Sequence, residues 1–300
     1  MAGREAWTLL KQTVSEWNAD GVPHLAAAIA YYTAFALAPV LVIAMAVAGL
    51  VFDRAQVRVE ILVQMQQMLG PAGAELVGTM LDAAARPGQS VWALVAGVVA
   101  LVLAASGLFG ELQYALNTVW DVAARPGRGL LGLLRDRFVS FTMVVGSGFL
   151  LMVSLVLSAA LAAVGKYASG RLPQWSALLQ AANLVIGFAL AAALFAMIYK
   201  VLPDVHLRWR DVALGATVTA ALFTVGRFLI GLYLGRSSVG SAYGAAGSLA
   251  IVLLWVYYSA QVLMLGAEFT QVYTRWRGRW VAPTPNAEPT PAAPRGSEPR

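Results

Sequence analysis

One arginine interrupts an otherwise uncharged apolar stretch of this 300-residue chain, the stretch 212–235. An ionisable side chain inside a membrane segment is costly, so Arg227 is a candidate functional residue. Thr224 and other small residues share its helical face, which predicts that Arg227 points into protein or water. Asn183 falls at a similar depth in the preceding apolar stretch and is the predicted partner. The alternative is that the long Arg227 side chain extends to the outer headgroups.

A second set of polar residues follows the last apolar stretch. Tyr258, Gln261 and Glu268 recur at helical spacing and predict one polar stripe. Glu111 and Lys200 fall at the same predicted depth as Glu268. Two carboxylates and a lysine at one level could form a proton-coupled site, or they could be helix-end charges in the headgroup region. The chain has no cysteine, and its pattern predicts no catalytic residue, no metal and no cofactor.

The elements that must position these residues are long apolar runs. Five runs carry no charged residue or histidine, and 212–235 is the sixth: 26–52, 87–110, 138–165, 172–199 and 237–267. About 20 apolar helical residues cross the bilayer core, which is about 30 Å thick. The sequence therefore predicts an all-α, polytopic membrane bundle with six transmembrane helices.

Composition and charge support this class and give an orientation. The chain is 59% hydrophobic and 12% charged, whereas a soluble domain carries about 25% charged residues. Most Lys and Arg residues fall on the side of the predicted bundle that also receives both termini. Basic loops face the cytoplasm, so both termini are predicted to be cytoplasmic. The same rule accounts for the net charge of +6 without a nucleic-acid partner.

Three parts are expected along the chain. Residues 1–22 predict a cytoplasmic amphipathic helix, with Trp7, Leu10, Val14 and Trp17 on one face. Residues 23–276 form the membrane domain. Its outer loop, 53–90, predicts two short amphipathic helices separated at Gly70 and Pro71, which act as a lid or as a substrate gate. Residues 277–300 are rich in proline and predict a disordered cytoplasmic tail.

Several short segments together form a recognisable set of motifs. The first run contains Tyr31, Tyr32 and Pro39 after an Asp-Gly pair and an alanine-rich stretch. The end of the second run carries Asn117 and Trp120. The last run contains Trp255 and ends in Gly-Ala-Glu268. With these motifs, residues 18–275 resemble the YihY/BrkB family, which includes virulence factor BrkB and proteins once labelled ribonuclease BN. The resemblance implies a multi-pass protein of the bacterial inner membrane.

The function expected from these features is movement of a lipid or another envelope substrate across or within the bilayer. Arg227 would attract an anionic headgroup, and membrane lipids would be the partners. The alternative is an envelope scaffold that binds other envelope proteins without transporting anything. Ribonuclease activity is disfavoured, because His24 and His206 are the only histidines and no soluble catalytic domain is present. We therefore expect no enzymatic activity.

Overall fold

The fold was analysed in a computed structural model, which describes residues 2–48, 53–84, 91–125, 174–236 and 247–290, together with positions 142, 146, 149, 150, 153 and 157. Within these ranges the chain is mostly helical. The helices are α1 (Ala2–Ala19), α2 (Val22–Ala48), α3 (Arg54–Ala84), α4 (Val91–Val119), α5 (Gln174–Val201), α6 (Trp209–Arg236) and α7 (Gly247–Trp276). Two short strands are β1 (Val122–Ala124) and β2 (Ala287–Pro289). Most of the predicted run 138–165 lies outside the described residues.

Three of the described helices are long and apolar enough to cross a bilayer. They are Ala181–Val201, Trp209–Ile230 and Gly247–Trp276, and a shorter apolar helix covers Val22–Leu37. A helix rises about 1.5 Å per residue, so about 20 residues match the hydrocarbon thickness. The chain is therefore a helical membrane protein. Six spans and cytoplasmic termini stay predictions.

Helix α7 lies at the centre of the described bundle. It packs against α1, α2, α3, α4 and α6, while α4 also packs on α2, and α5 packs on α6. Close approach is possible because Gly266 of α7 faces Thr219 of α6, where an added Cβ would overlap the threonine hydroxyl. Beside it, the Tyr199 hydroxyl of α5 lies 2.9 Å from Thr219 Oγ1 and donates a 2.6 Å hydrogen bond to the Leu263 carbonyl. A small residue and a buried polar link thus join three helices.

Helix α3 is two helical halves that fold back on each other. Gly70 separates them with a φ of 75°, a conformation that L side chains rarely adopt. Arg58 and Asp82 join the two halves through a 2.8 Å ion pair. The structure therefore has two short helices where the sequence predicted them.

The α3 hairpin covers one end of the bundle. Leu69 packs near Ile251 and Val252 at the start of α7. Val77 and Leu81 pack with residues of α2. We call this end the α3 end. The arrangement is that of a lid, and movement of the lid as a substrate gate stays a prediction.

The opposite end, which we call the polar end, brings together α1, segment 120–125, loop 202–208 and segment 277–290. There β1 pairs with β2 in an antiparallel sheet, with Val122 opposite Pro289 and Ala124 opposite Ala287. Both described terminal segments thus lie at one end of the bundle.

Segment 277–290 corrects the prediction of a disordered tail. Backbone hydrogen bonds run from Arg125 N to the Asn286 carbonyl and from His206 N to the Ala282 carbonyl, each 2.9 Å long. The side chain of Ala287 is 1% exposed. Proline prevents helix formation but tolerates an extended edge strand, so a proline-rich segment can be ordered when a sheet edge accepts it. Residues 291–300 lie outside the described residues.

Helix α1 presents two different faces. Thr13 is buried and Trp17 packs against the main core. Trp7, Leu10 and Val14 are exposed, Trp7 to 70%. The predicted single stripe is therefore divided, because its last residue anchors α1 to the bundle and the other three are free to meet a membrane surface.

Candidate functional site

A buried carboxylate lies at the polar end of α7. The side chain of Glu268 is 0% exposed, and neither of its carboxylate oxygens has a hydrogen bond partner among the described residues. An isolated charge in such a place is expensive, since the water that would solvate it has been removed. Glu268 is therefore the most chemically unusual side chain in the described structure.

Asp20 is the nearest acidic neighbour of Glu268. It lies in the two-residue turn between α1 and α2, where Gly21 adopts a φ of 63°. The two carboxyl groups lie within hydrogen-bonding reach of each other, and neither Glu268 oxygen has a donor among the described residues. Burial raises the pKa of the Asp20 carboxyl, Glu268 and Arg275 oppose this change, and repulsion from Asp121 and Glu16 adds to it.

Asp121 is a further acidic residue close enough to act on both Glu268 and Asp20. It follows α4 with a φ of 52°, and its carboxylate accepts an ion-paired hydrogen bond from Arg275 of α7. Gln271, one turn after Glu268, donates through its side-chain amide to the Val119 carbonyl and to Asp121. The carbonyl oxygen of the Gln271 side chain has no partner among the described residues. We call Glu16, Asp20, Asp121, Glu268, Gln271 and Arg275 the carboxyl cluster.

The carboxyl cluster differs from the one predicted from sequence. Lys200 donates to the Leu207 carbonyl and lies 5.7 Å from the centre of the Trp209 ring, so it is engaged by the loop that follows α5. Glu111 shows no hydrogen bond or ion pair in the described part of the chain. The three predicted residues are not brought together. Glu268 is joined instead by acids from α1, from its turn to α2 and from the turn after α4.

Asn117 has a structural role at the same end. Its side-chain amide donates to the Asp204 carboxylate at 3.0 Å, and its oxygen accepts from the Asp204 backbone N–H at 2.8 Å. Gln113 donates to the same carboxylate at 3.0 Å. These bonds attach α4 to loop 202–208. Trp120, one turn further on, is buried in the main core.

Arg227 lies on the exposed surface of α6. Its neighbours Val225, Phe228 and Leu229 are also exposed, Phe228 to 72%. Asn183 of α5 is exposed as well, and no hydrogen bond joins it to Arg227 in the described ranges. Thr224 donates to the Ala220 carbonyl of its own helix at 2.7 Å. The predicted contact between Arg227 and Asn183 is therefore not formed, and the prediction that Arg227 faces protein or water stays a prediction.

The two polar residues at the start of the α7 stripe are partly buried. The Tyr258 hydroxyl lies directly against Gly226 of α6, where an added Cβ would overlap it. Gln261 is half-buried and has no hydrogen bond in the described structure. The predicted stripe is thus divided between a helix contact at Tyr258 and the carboxyl cluster at Glu268.

The remaining motif residues contribute aromatic packing. Trp255 makes an edge-on contact with Phe223, with ring centres 6.2 Å apart. Tyr31 and Tyr32 meet edge to face at 5.6 Å, and the Tyr32 ring lies against Gly107 of α4. The backbone of α2 continues through Pro39, whose side chain lies outside the described set.

The sequence prediction missed five members of the carboxyl cluster, which are Glu16, Asp20, Asp121, Gln271 and Arg275. Asp20 was part of a motif in the sequence, beside a glycine that marks a turn. Its pairing with a residue far along the chain leaves no signal in one sequence. Asp121 and Gln271 meet only because α4 and α7 end at the same level.

Comparison with known proteins gives the family. The model of the virulence factor BrkB family matches residues 13–291. A UPF0761 membrane protein of Alkalilimnicola ehrlichii is 28% identical over 82% of this chain and 54% of its own length. A UPF0761 membrane protein of Neisseria meningitidis is 29% identical over 91% of this chain and 64% of its own length.

This chain spans less than two thirds of the length of these relatives. A third relative, a UPF0761 membrane protein of Tolumonas auensis, is 39% identical over a segment covering 27% of each chain. No solved structure matches. The family match begins within α1 and reaches past β2, and it therefore covers every residue of the carboxyl cluster. The chain is an integral membrane protein that belongs to the virulence factor BrkB family.

Proposed function

We propose that this protein moves a lipid or another anionic envelope substrate within or across the bacterial inner membrane. The observation that supports the proposal is the exposed guanidinium of Arg227 on an apolar helix surface. The described residues provide it with no counter-ion. A guanidinium binds phosphate through two parallel hydrogen bonds, so a lipid headgroup has the chemistry to satisfy it.

The position of Arg227 also suits such a role. Helices α5 and α6 are antiparallel neighbours, and Asn183 and Arg227 are equally far along the chain from Val205 in their connecting loop. Both side chains are exposed at about the same level, toward the α3 end. Arg227 could therefore hold a headgroup while Asn183 donates to one of its oxygens, without the two residues contacting each other.

The proposal can be tested in liposomes that contain a fluorescent anionic lipid in both leaflets. A membrane-impermeant reductant quenches the outer label, and a protein that moves lipid also exposes the inner label. We expect Arg227→Ala to slow inner-leaflet quenching about tenfold, which corresponds to about 1.4 kcal/mol of lost interaction. Arg227→Lys should keep part of the activity, because it retains the charge but loses the two-pronged geometry.

Arg210→Ala is the matched control, since Arg210 is exposed at the other end of the same helix. It should quench at the wild-type rate. Wild-type vesicles that behave like empty ones would count against lipid movement, and equal rates for Arg227→Ala and Arg210→Ala would remove Arg227 from the mechanism.

A scaffold role is the second candidate. It is favoured by the filled interior of the described bundle, where residues of α2, α4, α5, α6 and α7 form one buried apolar cluster. A scaffold needs no polar path through its core. It predicts vesicles inactive in the same assay and stable association with another envelope protein. We also propose that the chain is not an enzyme.

A further inference from the structure

Four buried side-chain oxygen atoms at the polar end lack a hydrogen bond partner among the described residues, and three of them belong to the carboxyl cluster. These three are the two carboxylate oxygens of Glu268 and the side-chain carbonyl oxygen of Gln271. The two residues are three positions apart on α7 and therefore lie on the same helical face. A buried acceptor without a donor costs free energy, and a buried carboxylate costs more. This place in the structure therefore needs a positively charged or hydrogen-donating species.

The surrounding charges increase this need. Glu16 and Asp20 act on Glu268 from α1 and its turn, and Asp121 acts from the turn after α4. The cation of the carboxyl cluster, Arg275, is bonded to Asp121. A second nearby guanidinium, that of Arg279, is bonded to Asp211 of α6. Negative charge is thus in excess around Glu268.

Two kinds of species could supply the missing positive charge, a metal ion or a proton. The described residues contain no group of three or more His, Cys, Asp or Glu side chains arranged to hold a metal ion. A proton needs only two facing carboxyl groups, because two acids in one place cannot both ionise cheaply. We propose that Glu268 and Asp20 form a proton-binding site in which the two carboxyl groups share one proton.

The shared proton would hold α1 and the start of α2 against α7. With the proton bound, one carboxyl group donates to the other. Without it, two carboxylates face each other beside Asp121 and Glu16, and their repulsion weakens the attachment of the turn. The raised pKa of Asp20 agrees with this arrangement, because an acid whose pKa lies above its usual 3.8 binds protons more tightly in the folded protein. Its contribution to stability is present at low pH and is lost as the pH rises through the raised pKa.

This site can be detected by infrared spectroscopy of the purified full chain in lipid nanodiscs, during a pH titration in heavy water. A protonated carboxyl has a C=O stretching band that a carboxylate lacks. We expect such a band at neutral pH in the wild type and its loss in Glu268→Gln. Glu111→Gln, which changes an acid of α4 outside the carboxyl cluster, should keep it.

Asp20→Asn provides a second measurement that does not require the Glu268 variant to fold. Removing one of two interacting acids should move the midpoint of the remaining band by about one pH unit or more. A wild type without the band at neutral pH, or an unchanged midpoint in Asp20→Asn, overturns the proposal. A band removed at constant pH by sodium or calcium also overturns it, in favour of a metal site. None of these readouts depends on lipid movement, so the proton site and the proposed function can fail separately.

Discussion

At the scale of single residues, this membrane protein is organised around small side chains that allow polar groups to meet. Gly266 permits Thr219 of α6 and Tyr199 of α5 to approach α7. The buried Tyr199 hydroxyl then donates to the Leu263 carbonyl and so has a hydrogen bond partner inside the bundle. Such bonds contribute about 0.6 kcal/mol each in membrane proteins, so their position matters more than their strength.

This packing predicts a difference between two identical substitutions. Gly266→Ala should destabilise the protein by about 1–3 kcal/mol, because its new methyl group overlaps the Thr219 hydroxyl. Gly187→Ala, in α5, meets nothing within 4 Å and should be neutral or stabilising by up to about 1 kcal/mol through helix propensity. Thermal unfolding of both variants in detergent measures the contrast. Equal transition temperatures would show that α6 and α7 are not in close contact at Gly266.

At the scale of elements, the segment after α7 acts as a strap across the polar end. It bonds to segment 121–125 through β2 and to loop 202–208 through the backbones of Ala282 and Thr284. These contacts join the ends of α4, α5 and α7. The start of α6 lies at the same end of the bundle, directly after loop 202–208. The strap therefore fixes the surroundings of the carboxyl cluster.

Removing the strap should expose specific backbone groups. Deletion of 282–300 should remove the acceptors of the Arg125 and His206 amides, and hydrogen exchange at these two amides should become faster by a factor of about ten or more. Deletion of 291–300 leaves both acceptors in place and is the control. Retained protection after the longer deletion would mean that other groups hold these segments.

At the scale of the whole molecule, the two ends of the bundle differ in chemistry. The polar end carries both described terminal segments and exposes Trp209, Trp276 and Trp280. Tryptophan at such a level is typical of the membrane–water boundary. The α3 end is covered by a hairpin whose two halves are joined by the Arg58–Asp82 ion pair. Which of the two ends faces the cytoplasm stays a prediction from the basic residues.

The predicted orientation can be tested because the chain has no cysteine. Single cysteines at Thr8 and Glu288 mark the polar end, and cysteines at Ala55 and Thr79 mark α3; all four residues are exposed. In intact bacterial spheroplasts, an impermeant maleimide should label the α3 positions, and label the polar-end positions only after lysis. Labelling of Thr8→Cys before lysis would place the polar end outside.

The sequence by itself determined the class of the molecule. The uncharged runs are long enough for helices rather than strands in lipid, and a helix bonds all of its own backbone groups. Gly70 also marked the break in α3, since its chemistry is local. The family motifs placed Glu268 among the residues of interest before its surroundings were known.

Only the tertiary structure decided which groups meet. Glu268 and Asp20 are far apart along the chain, and their contact exists because α1 packs on the last turns of α7. The tail looked unable to fold because its own composition buries little, yet the free edge of β1 gives it bonding partners. Asn183 was the predicted partner of Arg227 because the two lie at similar depth, but the packing of α6 against α5 and α7 leaves both side chains exposed and without a mutual hydrogen bond. Local chemistry determines elements, whereas contacts between distant segments depend on how those elements pack.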